Sequence, residues 1–464
     1  MQITIHAAEA TGLPDKERAV MKRLLKIYHA HAAKNAEKRR YYEGKVTVGE
    51  VNLGLALPKG IQNLEIGCAW GEKTVDVLAA RSRFDGFVSE SGNAVEAMTR
   101  IAAANHLEAA YARAVRDELI YGCAFATLSA DAAIGSRIRF HSPETGAAEW
   151  DGVRGRIRDG FVVTGMRETE DGQAVPAELQ LHTDTHVWII RRADNNTDWR
   201  AEGLAHKMGR PMMEPLIWNA TTEKQLGRSR LKYPIRKLIQ GYVRTVANAT
   251  IGLEFATSPQ KYLLGITDDQ YDAVINKKFR TYVGSILAAT VNPETGEKPT
   301  FGQLAQGSIE PHVQMLRMLA TQFSAATGLT VTDVGVVNDA NPTSSDAILA
   351  QSQTLILTAE QLNTGNAGAL YTIAQMAMAI AENVRPDELS DEAKSIVAHF
   401  KNPAMPSVSV TADAAIKLAS ARQSFAQTDT FLEMVGFDQA DIRRIKAQEL
   451  RSRGLAVLEE LEEE

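Results

Sequence analysis

The sequence predicts a mainly helical α+β fold, and three features predict it. Apolar residues recur at three- and four-residue spacing over long segments, most plainly Leu231, Ile235, Leu238, Ile239, Tyr242, Val243 and Val246. Short β-prone runs broken by Gly and Asp fill one block, Phe125 to Trp199. The 464 residues are 44% hydrophobic and 23% charged, which supplies a large core and a length for roughly two to four domains.

In chain order, Asp15 to Lys45 reads as a helix. It carries ten Lys/Arg (Lys16, Arg18, Lys22, Arg23, Lys26, Lys34, Lys38, Arg39, Arg40, Lys45) against four acids. That pattern fits a solvated helix face, or a basic patch against nucleic acid or an acidic neighbour. His29 and His31 are two apart and do not share a helix face, so they make a poor metal pair. Gly44 to Gly60 reads as a loop, Gly71 to Arg83 as a short helix and Asn93 to Tyr121 as one longer helix. Arg137–His141, Gly160–Thr164 and His186–Ile190 read as antiparallel strands.

Gly227 to Phe255 reads as one helix, with Pro234 in the first turn, where its missing N–H costs nothing. Thr267-Asp-Asp-Gln270 has the form of a capping box, opening a helix to about Leu287. Residues 291–308 form a knob with three Gly and two Pro, and another helix runs from Ser308 or Ile309 to Thr327. These two helices are expected to pack antiparallel with the knob at their far end. Gly328 ends the second helix. A β-prone run, Val331 to Val337, and a polar loop, Asn338 to Thr343, follow. Thr343 or Ser344 can cap the next helix, whose first turn holds Asp346. That helix spans Ser344 to Asn383, with Gly365 and Gly368 as points of kinking or close helix contact. Its Ala/Met-rich face from Thr354 to Ile380 has Glu360 as its one charge and is expected to contact another subunit, with Ala374 and Ala377 at the interface. Asp413 to Glu464 reads as two helices divided near Gly436-Phe-Asp438, with an acidic end that opposes the helix dipole.

The chemistry of the common enzyme motifs is missing. There is no phosphate-binding Gly-rich loop, no H-E-x-x-H and no G-x-S-x-G elbow. Asp268-Asp269 sits beside Thr267, where helix capping explains both acids. Cys68 and Cys123, 55 residues apart, are expected to be reduced, buried structural thiols. No apolar run nears the ~18 residues of a membrane span, and the first residues, Met-Gln-Ile-Thr-Ile-His, lack signal-peptide architecture. A net charge of −6 argues against tight gripping of duplex DNA, but repeated around a ring it would discourage phosphates from sticking.

Gly328 to Ile348, Gly-Leu-Thr-Val-Thr-Asp-Val-Gly-Val-Val-Asn-Asp-Ala-Asn-Pro-Thr-Ser-Ser-Asp-Ala-Ile, resembles the tunnel-loop region of bacteriophage portal proteins of the SPP1-type group, closest to actinobacterial phage portals. Those run from a helix ending Thr-Gly into Gly-Val-Val-x-Asp-Asn-Pro-x-Ser-x-Asp/Glu-Ala-Ile. Tyr41–Gly44, Thr74–Arg81 with Phe84–Phe87, Asn105–Phe125 and Ser258-Pro-Gln-Lys-Tyr-Leu-Leu-Gly265 resemble further segments of that family, so the likeness runs from Tyr41 to about Arg453. One departure is Pro406 to Asp413, where such portals often carry a strand with Trp-x-Asp.

The resemblance implies an N-terminal region with a peripheral α+β wing (1–228), a core helix (229–266), a stem helix (267–290), a clip (291–308), a second stem helix (309–328) and a tunnel-loop region (329–343). A central helix with a following wing segment (344–405) and a C-terminal helical crown (406–464) complete it. It implies that Asn338, Asp339, Ala340, Asn341, Pro342, Thr343 and Ser344 line a DNA channel, and that clip residues Asn292, Glu294, Glu297, Lys298 and Phe301 contact terminase or adaptor. It implies a homo-oligomeric ring, usually of twelve, at one capsid vertex of a virion, assembled in the host cytoplasm. Double-stranded DNA would pass without sequence specificity, with terminase, major capsid or scaffold and head-completion proteins as partners. No catalytic residue, metal, cofactor or membrane is implied. Another head–tail structural protein and a soluble oligomeric enzyme with a convergent polar pocket stand as alternatives.

Overall fold

The computed structural model describes residues 5–51, 65–89, 92–168, 171–193, 198–257, 261–264, 296, 300–303, 308–335, 345–404, 408–438 and 441–452. Its first part holds helix α1 (Asp15–Tyr42), strands β1 (Lys45–Thr47) and β2 (Glu65–Gly67), helix α2 (Trp70–Ala79), strand β3 (Phe84–Val88) and helices α3 (Gly92–Ala104) and α4 (Leu107–Tyr121). Eight strands follow: β4 (Cys123–Asp131), β5 (Gly135–His141), β6 (Gly146–Asp151), β7 (Arg156–Glu168), β8 (Ala174–His182), β9 (His186–Arg192), β10 (Trp199–Ala205) and β11 (Met213–Ile217). Then come α5 (Tyr233–Thr257), β12 (Lys261–Leu264), β13 (Thr300–Gln303), α6 (Glu310–Thr327), α7 (Ser345–Glu382), α8 (Asp391–Lys394), β14 (Val397–Phe400), α9 (Val408–Ala421) and α10 (Asp429–Val435).

The fold is α+β, as the sequence predicts. A five-stranded antiparallel sheet, β10-β9-β8-β7-β6, carries α1 across one face. Strand alternation assigns the side chains: Phe161 and Val163 of β7 join Met21, Leu24, Leu25 and Tyr28 of α1, while Val162 between them points into a separate small core with Phe125, Ile157 and Met213. Each large apolar side chain buried this way contributes roughly 1.5–3 kcal/mol. At Gly160 the two sheets approach closely, since a Cβ there would overlap the Met213 thioether. The second sheet, β11-β4-β5, faces the helical body, and α7 crosses it.

The body is one large core drawn from α2, α4, α5, α6 and α7 with the β14-β3 pair. Ile235, Ile239, Val243 and Ala247 bury one face of α5, four residues apart. Trp70 of α2 packs 4.6 Å, centroid to centroid, from both Tyr242 and Phe323, joining α2, α5 and α6. Both cysteines are free and buried, and burial pushes each thiol up to about 12.

Four expectations are corrected. The helix expected over 93–121 is two helices, broken at Asn105-His106. Asn105 Nδ2 donates to Ile101 O and Ser136 O, its Oδ1 accepts from Ile138 N–H, and His106 adopts a left-handed φ of 48°. The side chain thus ends a helix and stitches it to β5 at once. Residues 331–335 are turns rather than strand, because Thr330 and Asp333 bond each other's backbone and side chains. The Ala/Met face of α7 is not left for a second subunit: Ala374 and Ala377 are both 0% exposed within one chain. Residues 408–413, the place where such portals often carry a strand, open α9, and the strand before them is β14, antiparallel to β3. Finally, the first C-terminal helix is itself interrupted by a 3-10 turn at Gln423–Gln427, with Thr428 capping α10 through Phe431 N–H; the break at Gly436 stands as expected.

Gly122 and Gly227 lock the crossing of β11's exit over the end of α4. Gly227 has φ 77°, and a Cβ on it would overlap Gly122 O and Trp218 O. Gly172 has a similar φ of 72° with nothing nearby. Gly172→Ala should therefore cost only about 1 kcal/mol of conformational strain, whereas Gly227→Ala should cost roughly 3 kcal/mol or more because backbone must move as well. Denaturant unfolding of the two variants gives the comparison; equal losses would show that the crossing is not close-packed.

Candidate functional site

The site builds on the segment 218–231, which links the sheets to the helical body. Trp218 N–H donates to Gly122 O at 3.0 Å, Ser229 Oγ to Ile120 O at 2.5 Å and Arg230 N–H to Leu119 O at 2.8 Å. Lys38 Nζ reaches Tyr121 O at 2.8 Å from α1. The carbonyls at the end of α4, which have no partner within the helix, are thus satisfied from three distant places.

Arg230 then turns inward. Its Nε donates to Thr74 O at 2.6 Å and one terminal nitrogen donates to Thr327 O at 2.8 Å, with the guanidinium 6.0 Å from the Trp218 ring centroid. It is 7% exposed, and burial lowers its pKa to about 10, so the cation persists at neutral pH. Thr327 is the last residue of α6, where the helix dipole favours a cation.

Immediately past Thr327 lies the root of the expected tunnel loop. Gly328 is left-handed at φ 73° and donates its N–H to Ser324 O. Ser324 Oγ donates to Leu329 O at 2.6 Å, and Leu329 and Val334 are buried. A Cβ on Gly328 would lie 3.3 Å from Thr354 Cγ2, so the start of the loop packs against α7 near its beginning. The entry to 336–344 is therefore anchored in the large core. Asn338, Asp339, Ala340, Asn341, Pro342, Thr343 and Ser344 themselves lie outside the described residues. Helix α7 opens at Ser345, so Asp346 is its second residue.

The other end of α6 leads to the expected clip. Arg230 beside Thr327, Gly241 against Leu319 and Leu264 paired with Thr300 are three contacts in reversed chain order. They make α5 and α6 an antiparallel pair with the β12-β13 ladder at its tip. Phe301 stands opposite Leu263 in that ladder. Asn292, Glu294, Glu297, Lys298 and the helix expected over 267–287 with its Thr267–Gln270 box lie outside the described residues. The partner found along α6 is α5, which sequence spacing marked as a helix but not as a stem.

A buried polar chain links α4 to α7. Asn366 Nδ2 donates to Glu118 Oε2 at 2.8 Å and to Tyr111 OH at 3.0 Å, and Tyr111 OH lies 2.8 Å from Ser82 Oγ. Glu118 and Asn366 are 0% exposed. Nothing in the local sequence marks these as buried polar positions, although Glu118 falls on the apolar stripe of α4 at four-residue spacing from Ala114. Among the described residues no cluster of three or more His, Cys, Asp or Glu has the geometry to hold a metal. The basic residues of α1 are largely engaged: Arg23 pairs with Glu149 and Asp159, Arg39 with Glu43 and Glu144, and Lys22 with Glu9.

Burial pushes the Glu118 carboxyl up from 4.5 to about 8, with the Asn366 bond opposing. Its folded value lies above its unfolded one, so the folded chain holds a proton that the unfolded chain releases. Its contribution is present below pH 4.5 and is lost as pH rises towards 8. Glu118→Gln keeps the shape and removes the titration. Its stability relative to the parent should increase between pH 5 and pH 8 by on the order of 2–4 kcal/mol, read from denaturant unfolding at both values. A constant difference would place the proton elsewhere.

No protein-family model matches this chain, and no curated protein matches it. Among solved structures it is similar to a chain of the virion of a native gene transfer agent particle, at 12% identity and a TM-score of 0.46, covering 83% of this chain and 88% of that one. It is also similar to a chain in the neck of the native particle computed with C12 symmetry, at 12% identity, TM-score 0.43, 79% of this chain and 89% of the other. A third is a chain in the neck of the empty particle computed with C6 symmetry, at 13% identity, TM-score 0.44, 76% and 85%.

Proposed function

We propose that this chain is a portal protein, forming a homo-oligomeric ring at one vertex of a phage or phage-like capsid, through whose channel double-stranded DNA is packaged and released. The observation that carries the reading is the antiparallel pair α5–α6, with a strand ladder at one tip and, at the other, the anchored root of the segment whose residues match the portal tunnel-loop pattern. In this reading α5 runs beside the α6 stem helix, and the clip is the segment 291–308 that leads into α6.

Assembly is supported by apolar surface that one chain leaves uncovered. On α6, Val313, Met315 and Met318 are 36%, 40% and 47% exposed, and Leu253 of α5 is 45% exposed. In the C-terminal region Ile416, Leu418 and Leu450 are exposed as well. Side chains of this kind along two elongated helical elements suit contact with further copies of the same chain. In this reading Asn338 to Ser344 line the channel, the clip residues meet terminase and adaptor, and motor energy comes from the terminase. Among the described residues no helix is long and apolar enough to cross a membrane.

Light scattering and electron microscopy of the purified protein test the proposal. Rings, twelve-fold by the sequence resemblance, are expected. Met315→Glu with Met318→Glu should shift them to monomers at unchanged melting temperature. Asn338→Lys with Asn341→Lys should leave rings intact but raise DNA affinity in a salt-dependent way, because two cations would now release counterions from DNA, and should impair packaging. A monomeric parent at high concentration, or rings without a central channel, would defeat the proposal.

A further inference from the structure

Three histidines from different elements converge where the two sheets meet. His141 closes β5, His182 closes β8 and His206 follows β10. His182 is 1% exposed, and neither of its ring nitrogens has a hydrogen-bond partner. The titratable groups acting on it are His141 and His206, so a proton there would meet two more bases and no carboxylate. His141 Nε2 lies 2.9 Å from Thr127 Oγ1 on β4, and its charged neighbour is Arg139. His206 Nδ1 accepts from Met208 N–H at 3.3 Å and its Nε2 faces Thr183 O at 3.1 Å. This pattern fixes the neutral Nε2–H tautomer, because a proton on Nδ1 would confront the Met208 N–H.

The surrounding charges lie at the rim. Asp184 of the β8–β9 turn and His186, which opens β9, lie beside His206, Arg154 and Arg156 pair with Asp184, and Asp159 of β7 feels the same aspartate. On the β11 side Arg210 pairs with Glu214. The hydrophobic content of the seam is small: Cys123, Phe125, Ala148, Ile157, Val162 and Met213. The helical body and the α1 face each have larger cores of their own.

We propose that this histidine cluster makes the junction between the three-stranded and five-stranded sheets an acid-sensitive seam, which opens when the histidines take up protons while the helical body stays folded. A charged His182 needs hydrogen-bond acceptors, and no protein group offers one to either ring nitrogen. Burial lowers His141 to about 4 and His182 to about 3, with folded values below the ordinary 6.5. The stabilisation is therefore complete above pH 6.5 and is lost as pH falls through that value towards 4.

Hydrogen exchange of the full chain between pH 7.5 and 4.5, corrected for intrinsic rates, tests the seam. Protection at Gly160, Val162 and Met213, compared with a chain lacking one of the histidines, should fall as pH drops below 6.5 by up to about tenfold per pH unit, since protonation of Asp159 and Glu214 in the same range is common to both chains. Protection in α7 around Ile373 to Ala377 should hold over the same range. His182→Gln removes one proton from the balance and should flatten the seam's profile by about tenfold per pH unit. His141→Gln supplies the same test should the first variant fail to fold. Parallel loss of protection in seam and α7, or a parental pH profile in the folded glutamine variant, would overturn the proposal.

Discussion

The end of helix α4 is the constraint on which the rest of the structure depends. Its terminal carbonyls are buried, and water cannot reach them, so each must find a donor within the protein. Lys38 comes from α1, Trp218 from the exit of β11, and Ser229 and Arg230 from the entry to α5. Meeting that one requirement brings the wing sheet, the second sheet and the helical body to a single point. It also explains why α5 starts at Tyr233 rather than at Gly227: the residues between bend along the α4 terminus and bond its carbonyls instead of each other in a helix.

Arg230 extends this junction to the far end of the helix pair. A buried guanidinium bound to two main-chain carbonyls is costly to assemble and costlier to break, since each half left alone stays desolvated. Its value is geometric. The fork fixes the end of α6 against α2, and so fixes where the chain leaves for residues 336–344. Glu118 plays a comparable part between α4 and α7, and burial keeps it protonated at neutral pH. The buried acids and the buried histidines pull stability in opposite directions with pH. Glu118, Glu214 and Asp159, raised to about 8, 7 and 6, disfavour folding as pH rises, and His141 and His182 disfavour it as pH falls.

The distribution of apolar surface separates the protomer from its assembly. Helix α7 looks from its sequence like an interface, yet its Ala and Met side chains are consumed inside one chain by β4, β5, β11 and β14. Uncovered apolar side chains gather on the N-terminal half of α6, the end of α5 and the C-terminal helices, while α7 leaves Leu357 and Tyr371 exposed. Small residues on a helix mark close packing, whether the neighbour is another part of the same chain or a different copy.

Periodicity and turn chemistry by themselves determined much of this protein. The α1, α5, α6 and α7 helices, the antiparallel strands of the β-rich block, the two inert cysteines and the stop at Gly328 follow from local rules, because helix spacing, strand alternation and left-handed glycine are properties of a few neighbouring residues. The polar pattern from Gly328 to Ile348 also supplied the functional reading. What only the tertiary structure decided depends on partners distant in the chain. Asn105 breaks a helix because β5 offers it two backbone groups; Thr330 and Asp333 outweigh β-prone valines by bonding each other; α5 lies along α6 because Arg230 and the β12-β13 ladder hold both ends. Burial of Glu118 and His182 was equally hidden, since a single titratable residue in a sequence carries no sign of what will surround it.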